Sequence, residues 1–312
     1  MDRPGINYLR MSITDRCNLR CAYCSPWQDR VRAGRDDLLT LEEFGTVARE
    51  AAHLGITKLR VTGGEPLARP GVGRLLSDLS DIGGIADLAL TTNGTLLLAR
   101  LPDLIASRFR RVNVHLDTLD EARYAEVCGA AELPAVIAGI DAAISAGMRM
   151  KLNAVCDAGM TVDGASSLAR FGMQRGIDVR FIEAMPVAGA GDVCHPDVVG
   201  GVEEFLRDAL GLVPDGQDGV ARQYQVPGQA SRIGFITPSH KQFCVGCGKL
   251  RVSSRGVLRT CLFAGSGTDL LPMLRSGDLV GVREALVGAI ERKTSCNGRE
   301  GCEISTMVGI GG

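Results

Sequence analysis

The sequence predicts an α/β fold in which six strand–helix units form a partial, open barrel. Short runs rich in β-branched residues alternate with amphipathic helical segments over the first two-thirds of the chain. This alternation is typical of a parallel sheet, and six units are too few for a closed eight-unit barrel. Small, polar or metal-binding residues stand where the predicted strands end, which is where parallel barrels place their chemistry.

Each strand is predicted from a short run bounded by turn residues, and each helix from apolar residues at three- and four-residue spacing. The predicted strands cover residues 7–13, 58–62, 87–91, 111–115, 150–155 and 178–182. The predicted helices cover residues 41–54, 72–79, 96–107, 121–127, 133–146 and 162–175. The first helix begins at a capping box, because Thr40 is followed three residues later by Glu43.

The strand–helix pattern breaks after about residue 187. A loop rich in glycine, alanine and aspartate leads to a predicted helix over residues 202–210, and a polar stretch follows over residues 215–231. A second group of cysteines lies beyond that stretch. We therefore divide the chain into a partial barrel, residues 1–205, and a smaller C-terminal region, residues 206–312, folded against it.

Composition narrows the class of protein. The chain has 312 residues, 45% hydrophobic and 23% charged, as in an ordinary soluble globular protein. The net charge of −1 gives no overall attraction to nucleic acid or membrane. No apolar run approaches the roughly 18 residues of a membrane span, and no apolar signal core follows Met1, so we expect a cytosolic protein. Cytosolic thiols are kept reduced, so its 11 cysteines suggest metal binding more than disulfides.

The first cysteine group, Cys17, Cys21 and Cys24, has the spacing C-x3-C-x2-C directly after the first predicted strand. Three thiolates can hold three irons of a cubane cluster and leave the fourth iron open to a ligand. The alternatives are a structural zinc site or buried apolar cysteines. Zinc sites usually supply four ligands in paired spacing, so this spacing favours a [4Fe–4S] cluster.

Further unusual residues follow the other predicted strands. They are Gly63-Gly64-Glu65-Pro66 after the second strand, Thr92-Asn93-Gly94 after the third, His115 and Asp117 at the fourth, and Glu183-Ala184-Met185-Pro186 at the sixth. Loop composition alone does not explain so many independent strand ends, which predict a shared site.

The second cysteine group consists of Cys244, Cys247 and Cys261, and it suits a second cluster with one open iron. Zinc is the alternative, with a fourth ligand from Cys194, His240, Cys296 or Cys302. We interpret most of the scattered cysteines as buried small apolar residues, namely Cys128, Cys156, Cys194, Cys296 and Cys302.

Four cations surround the second group: Lys249, Arg251, Arg255 and Arg259. The alternation of cations and apolar residues over 249–252 predicts a strand with its charges on one face. Such a strand is either a solvated sheet edge guarded by charge or a clamp for phosphate. Both interpretations remain open from the sequence.

The cysteine spacing and the glycine-rich loop at 63–66 resemble the radical S-adenosylmethionine (SAM) superfamily, which implies a radical SAM barrel. The whole chain resembles the GTP 3′,8-cyclase family of molybdenum-cofactor biosynthesis. The matching segments are residues 14–18, 60–62, 91–94, 111–120, 181–183 and 233–238, and the chain ends Ile310-Gly311-Gly312 as that family does.

The resemblance implies a role for each matching position. A SAM-cleaving [4Fe–4S] cluster is implied at Cys17, Cys21 and Cys24, and an auxiliary [4Fe–4S] cluster that meets guanine at Cys244, Cys247 and Cys261. Contacts to SAM are implied at Tyr23, Gly63, Gly64, Glu65, His115 and Met185. Contacts to the nucleotide are implied at Arg10, Arg60, Thr91, Lys151, Lys249 and Arg251. Catalytic roles are implied for Arg251, Gly311 and Gly312, the two glycines inserting into the active site.

The reaction implied by the resemblance begins when an adenosyl radical abstracts the ribose 3′ hydrogen of GTP. The C3′ radical then adds to guanine C8, and an electron and a proton quench the product radical. A flavodoxin or ferredoxin is implied as electron donor, and a homodimer fits the family. Neither nucleic acid nor membrane is expected as a partner.

The chain departs from the family at several positions. His115 stands where the family has Ser, Gly248 where it has Asn, and Lys249 where it has Arg. Ser25 replaces a usual Met, and residues 293–305 lack an expected His. One alternative is therefore an enzyme of the same architecture acting on a different nucleotide, nucleoside or peptide. Another is an iron–sulfur or zinc protein that binds a nucleotide without catalysis.

Overall fold

A single twelve-stranded β-sheet organises the chain in the computed structural model, which describes residues 5–24, 34–185, 196–238, 247–264 and 266–295. Its strands are β1 (Tyr8–Ser12), β2 (Lys58–Thr62), β3 (Asp87–Thr92), β4 (Arg111–His115), β5 (Arg149–Cys156), β6 (Asp178–Glu183), β7 (Val213–Asp218), β8 (Ala221–Gln225), β9 (Arg232–Ile236), β10 (Lys249–Val252), β11 (Val257–Arg259) and β12 (Thr268–Asp269). Their order across the sheet is β12-β11-β10-β1-β2-β3-β4-β5-β6-β9-β8-β7.

The predicted six parallel strands are confirmed, and the C-terminal region adds two more to them. Strands β1 to β6 pair in sequence order, each parallel to the next. Strand β10 joins β1 in parallel, and β9 joins β6 in parallel. The parallel part therefore has eight strands, with short antiparallel additions at both edges.

The helices follow the predicted bounds closely in the barrel. They are α1 (Leu41–His53), α2 (Val72–Ser80), α3 (Leu97–Ala106), α4 (Glu121–Cys128), α5 (Leu133–Ser145), α6 (Val162–Arg175), α7 (Pro196–Leu210), α8 (Leu271–Ser276) and α9 (Leu279–Ser295). The capping box of α1 is confirmed, because Glu43 N donates to Thr40 Oγ1 over 3.1 Å and Thr40 N donates to Glu43 Oε2 over 2.7 Å. No described helix alone has the length and apolar character of a membrane span, although α4 and α5, bent by 100°, meet that test as a pair.

The polar stretch after α7 contains strands for which no prediction was made from the sequence. It contains the β7–β8 hairpin, and α7 itself begins six residues earlier than the predicted residue 202. Strand β7 is almost wholly exposed and carries Pro214 and Gly216, with a register shift between Pro214 and Gln217. An exposed, bulged edge strand lacks the alternation of apolar residues by which strands are predicted.

The C-terminal elements pack back onto the first part of the chain. Arg283 of α9 contacts Glu50 of α1 through two nitrogens, at 2.8 and 2.9 Å. Leu39 N donates to Ser254 O over 2.9 Å, just after β10. One sheet thus runs through both parts of the chain, and the division between residues 205 and 206 stays a prediction.

Candidate active site

Parallel strands bring most of the described site candidates to one edge of the sheet, here called the site edge. The cysteine loop follows β1, residues 63–66 follow β2, and Asn93 follows β3. His115 closes β4, and half-buried Met185 lies two residues after β6. Because these strands are parallel neighbours, their carboxyl ends meet at the site edge.

The glycine loop packs directly against the backbone of the cysteine loop. Gly64 N donates to Thr14 O and Glu65 N donates to Arg16 O, each over 2.8 Å. A Cβ atom at Gly64 would lie 2.2 Å from Arg16 O, and one at Gly63 would lie 2.7 Å from Thr14 O. Only glycine permits this approach, so the two glycines position the cysteine loop whatever else they contact.

Glu65 joins the ends of β2 and β3. Its carboxylate accepts hydrogen bonds from Thr92 Oγ1 and Asn93 N, each at 2.8 Å, and from Leu67 N at 2.9 Å. The side chain is fully buried, and this burial raises the pKa of Glu65 to about 7, against the effect of its hydrogen bonds. Three of its roughly four acceptor positions are therefore occupied by the chain itself. A contact with the SAM ammonium stays a prediction.

The C-terminal end of α4 holds the other side of the cysteine loop. Arg20 N donates to Cys128 O and Ala22 N donates to Val127 O, each over 2.9 Å. Cys128 is buried, as predicted, and its thiol contacts that of Cys21. This contact, with burial, raises the pKa of Cys21 well above its ordinary value. The position of Cys128 beside Cys21, a predicted cluster ligand, was not recognised from the sequence.

Donors also reach Cys17. Leu19 N lies 3.4 Å and Asn93 Nδ2 lies 3.7 Å from Cys17 Sγ, as suits a thiolate ligand. Cys17, Cys21 and Cys24 are all half-buried on one loop. Within the described residues, no group of three or more histidine, cysteine or carboxylate side chains is arranged so that it could hold a single metal ion. Thiolates of a cubane bind different irons and need not converge, so this loop fits a cluster.

Tyr23 is tied to Asp117, a residue that follows β4. Tyr23 Oη donates to Asp117 Oδ2 over 2.6 Å, and Val155 N donates to Asp117 Oδ1 over 2.7 Å. Burial raises the pKa of Asp117 to about 6 and raises that of Tyr23 well above its usual value. Asp117 thereby fixes the ring beside the cysteine loop. Its position at a strand end was the sequence signal for it.

His115 presents a neutral imidazole at the site edge. Burial and the charge of Arg10 lower the pKa of His115 to about 4. Its Nδ1 is enclosed and has no hydrogen-bond partner among the described residues. In the sheet His115 pairs with Asn153 of β5. The imidazole can therefore exchange one hydrogen bond with a ligand without carrying charge at neutral pH.

Three arginines stand side by side across the sheet. Arg10 of β1 pairs with Arg251 of β10 on one side and with Arg60 of β2 on the other. Arg60 and Arg251 are buried. Burial is the main cause that lowers the pKa of Arg10 to about 9, and the charge of Arg251 is the second cause. Adjacent desolvated guanidiniums disfavour their own charge, so an anionic ligand among them would relieve this cost.

Tyr8 stands between two of the predicted nucleotide contacts. Arg60 Cζ lies 5.8 Å and Lys249 Nζ lies 5.6 Å from the centroid of the Tyr8 ring, both within range of a cation–π contact. Burial lowers the pKa of Lys249 to about 7, while Cys247 raises it and Arg251 adds to the lowering. Tyr8 was not recognised as a site residue from the sequence.

Lys151 is engaged by carboxylates from two strands. Its Nζ lies 3.0 Å from Asp178 Oδ2 and 2.8 Å from Asp218 Oδ2, and Arg180 also contacts Asp218. Burial raises the pKa of Asp218, but Arg180 and Lys151 outweigh it and bring the value to about 2. Thr91 is buried on β3, two strands from Lys151, and its Oγ1 lies 3.5 Å from Nδ2 of Asn113 on the strand between them. The structure thus ties Lys151 to the β7–β8 hairpin, which the sequence analysis did not identify.

The second cysteine group is partly described. Cys247 and Cys261 are half-buried, and Phe263 N lies 3.4 Å from Cys261 Sγ. Burial raises the pKa of the Cys247 thiol, but the charges of Lys293, Lys249 and Arg251 outweigh it and the net pKa is lowered. A stabilised thiolate fits an iron ligand. The predicted residues Cys244, Gly311 and Gly312 lie outside the described residues, as do Cys194, His240, Cys296 and Cys302.

Comparisons with known proteins agree with this architecture. A family model described as "Radical SAM superfamily" matches residues 11–171, and one described as "Molybdenum Cofactor Synthesis C" matches residues 177–298. A GTP 3′,8-cyclase of Pelotomaculum thermopropionicum is 42% identical over 286 residues, 89% of this chain and 87% of the relative. One of Alkaliphilus metalliredigens is 41% identical over 274 residues, 87% of this chain and 85% of the relative.

A solved structure shows the same fold. Streptococcus suis SuiB bound to S-adenosylmethionine has a TM-score of 0.68 at 18% sequence identity, over 89% of this chain and 68% of that one. At this identity the likeness concerns the fold alone. It extends over most of the chain, so the partial barrel and much of the C-terminal region have counterparts in SuiB.

Proposed function

Because the chain belongs to the radical SAM superfamily and, within it, to the GTP 3′,8-cyclase family, we propose that it joins C3′ of GTP to C8 of the guanine ring. The ribose 3′ hydrogen is removed in this reaction, and the product is a precursor of the molybdenum cofactor. The structural observation that carries the proposal is the row of Arg251, Arg10 and Arg60 on the adjacent strands β10, β1 and β2. Such a row suits a triphosphate.

Two [4Fe–4S] clusters and SAM are the cofactors of this proposal. The first cluster would be held by Cys17, Cys21 and Cys24, and the second by Cys244, Cys247 and Cys261. When bound, the first cluster and SAM supply the 5′-deoxyadenosyl radical that takes the 3′ hydrogen.

The chain's own residues orient SAM at the site edge. The cysteine loop is fixed by Gly63 and Gly64 on one side and by α4 on the other. Tyr23 is held by Asp117, and His115 offers an uncharged nitrogen. Neutral and hydrogen-bonding groups suit the adenosine and methionine parts of SAM, and Met185 supplies apolar contact. Glu65 is the buried carboxylate that we assign to the contact with the ammonium of SAM.

The cations bind and orient the nucleotide. Arginine forks match phosphate oxygens in pairs, and Arg10, Arg60 and Arg251 stand on adjacent strands. Lys249 adds a point charge beside the Tyr8 ring. Lys151 and Thr91 complete the set from β5 and β3. The attraction between each cation and a phosphate is stronger here than at the surface, because burial excludes water.

The last step needs an electron and a proton at the guanine. Arg251 lies close to both cysteine-bearing arms of the second site, because it follows Cys247 by four residues and pairs with Arg259 of β11, two residues before Cys261. A buried guanidinium stabilises negative charge that develops beside it without rearranging. Roles for Gly311 and Gly312 at the same step remain part of the proposal.

A different nucleotide or nucleoside is the second candidate substrate, and Gly248 favours it. A Cβ atom at Gly248 would lie 3.1 Å from Gly5 O, so the family's asparagine would need this neighbour to shift. Lys249 replaces an arginine, and an ammonium cannot make the paired contacts of a guanidinium. These two changes adjoin Cys247, where the base would lie.

An external electron donor of the flavodoxin or ferredoxin type, a homodimer and a cytosolic location complete the proposal. Each follows from the family resemblance and the composition. The donor is needed because the reductive cleavage of SAM consumes one electron.

The substrate is tested by offering nucleotides in parallel. The protein, reconstituted without oxygen, is given SAM and dithionite with GTP, ATP, CTP or guanosine, and mass spectrometry follows 5′-deoxyadenosine and substrate isomers. We expect an isomer of GTP mass, and none from a Cys17→Ala control. An isomer of another nucleotide alone would favour the second candidate. The absence of 5′-deoxyadenosine from protein with both clusters would contradict the proposal.

A further inference from the structure

Lys293 occupies a core-facing position on the C-terminal helix α9. Val282, Leu286 and Ala289 are fully or almost fully buried, at 0, 1 and 0% exposure, and Lys293 continues their spacing of four, three and four residues. Residues at this spacing share one face of a helix. An apolar residue is expected on such a stripe, so a half-buried ammonium there calls for a partner.

The partners of Lys293 are both parts of the second cysteine site. Its Nζ donates to Thr260 O over 2.6 Å and lies 3.7 Å from Cys247 Sγ. Thr260 immediately precedes Cys261. One ammonium therefore connects the arm that carries Cys247 with the arm that carries Cys261. The Cys247 sulfur stands here for an iron-bound thiolate.

Neighbouring cations do not share this geometry. Arg292 is exposed and reaches Thr268 Oγ1 at 3.4 Å, on a different side of the helix. Lys249 lies over the Tyr8 ring on the sheet. The helix that carries Lys293 is in turn fixed to α1 by the pair Arg283 and Glu50. The packing of α9 against α1 thus keeps the Lys293 ammonium next to the Cys247 sulfur.

We propose that Lys293 is a positioning residue of the second cluster, whose ammonium holds the two cysteine arms together and raises the reduction potential of that cluster. The inference rests on the proposed function for the presence of the cluster. A reduced cluster carries one more negative charge than an oxidised one. A cation or a hydrogen bond at a ligand sulfur therefore stabilises the reduced form.

The test isolates the second cluster in the full-length chain. Cys17, Cys21 and Cys24 are replaced by alanine, and this parent is reconstituted anaerobically. Iron per chain is counted, and the potential is followed by paramagnetic resonance during reductive titration. Lys293→Met keeps the length of the side chain and removes its charge, whereas Lys293→Arg keeps a charge. Arg292→Gln is the matched control.

We expect Lys293→Met to lower the equilibrium constant for one-electron reduction of the cluster at least tenfold. This change corresponds to a reduction potential that is more negative by about 59 mV. Lys293→Arg and Arg292→Gln should stay near the parent. Loss of iron in Lys293→Met, with iron and potential retained in Lys293→Arg, would also support a charge that holds the arms. Full iron and an unchanged potential in Lys293→Met would overturn the inference, as would equal iron loss in both Lys293 variants.

Failure of the proposed function itself would look different. A parent chain and an Arg292→Gln chain that both bind no second cluster would remove the two-cluster proposal, and the role of Lys293 with it. No GTP or SAM is present in the titration. A wrong substrate assignment therefore leaves the result for Lys293 unaffected.

Discussion

The two cysteine sites differ in the charges that surround them. The first loop lies among buried acids, Asp117 and Glu65, whose pKa values burial raises to about 6 and about 7. The second lies among cations, and Lys293, Lys249 and Arg251 together lower the pKa of Cys247. Both sites stand on the same sheet, since β10 pairs with β1.

This difference matches the ligands of the proposed reaction. SAM is a sulfonium cation with a zwitterionic methionine, and a site with hydrogen-bonding acids and a neutral His115 suits it. GTP carries a triphosphate, and desolvated arginines suit that. The acids follow the ends of β2 and β4, whereas Arg251, Arg10 and Arg60 lie within β10, β1 and β2, so the two charges are separated along the strands.

The largest expected effect concerns the glycine contact that holds the first site. Gly64→Ala places a Cβ atom where Arg16 O lies 2.2 Å away, so the cysteine loop must move. We expect loss of the first cluster and of SAM cleavage, with the second cluster retained. Iron counting and 5′-deoxyadenosine assays measure both. Gly83→Ala is the control, because a Cβ atom at Gly83 meets nothing within 4 Å. Normal SAM cleavage by Gly64→Ala would show that the loop does not depend on this contact.

Removal of one of the arginines should weaken the binding of GTP and leave the binding of SAM nearly unchanged. Arg10→Gln is expected to raise the KM for GTP roughly ten- to a hundredfold, the value of a charge-assisted hydrogen bond. The affinity for SAM, measured by equilibrium binding, should change little. Arg149→Gln serves as control, because Arg149 is exposed and begins β5 at the end opposite the site edge. Equal losses for SAM and GTP would contradict the separation of charges.

Glu65 should make the stability of the chain depend on pH. Its pKa is raised from 4.5 to about 7, so between these values the folded chain keeps a proton that the unfolded chain has lost. The folded state binds more protons, and the free energy of unfolding therefore falls as pH rises through this window, by up to roughly 3 kcal/mol. Urea unfolding of the cluster-free chain at pH 4.5 and 7 measures it. Glu65→Gln should show a smaller fall, because only other raised carboxyls such as Asp117 remain to contribute to it. Equal pH slopes in both chains would refute the assignment.

The smallest effect is expected at His115. Its pKa is lowered to about 4, so the imidazole stays neutral from pH 5.5 upward. His115→Ser should therefore leave the shape of the pH profile of SAM cleavage unchanged between pH 5.5 and 7.5. A step near pH 6 that is present in the wild type and absent from His115→Ser would show a charged histidine instead.

Local patterns predicted the barrel well, because buried strands and amphipathic helices are encoded within a few residues. The bounds of β2, β4 and α6 match their predictions at both ends. Contacts between distant positions could not be predicted in this way. Tyr23 meets Asp117 across 94 positions, and Lys293 meets Cys247 across 46. Only the folded sheet brings such pairs together, and no spacing rule describes them.

The resemblance to a family supplied most of the predicted site residues, and the structure added residues that surround them. Tyr8, Asp218 and Lys293 belong to no short motif, yet each contacts a residue assigned by the resemblance. Their absence from the sequence analysis has one physical cause. Each acts on a neighbour in space through charge or a ring face, and such neighbours lie on other strands or helices.

The central claim is that this chain takes the 3′ hydrogen from GTP, and isotope transfer tests it most directly. The reconstituted protein is given SAM, dithionite and GTP deuterated at the 3′ position, and mass spectrometry analyses the 5′-deoxyadenosine. The account predicts deuterium in the deoxyadenosine together with a rearranged isomer of GTP. Deoxyadenosine without deuterium would contradict it and would direct attention to His115, Gly248 and Lys249.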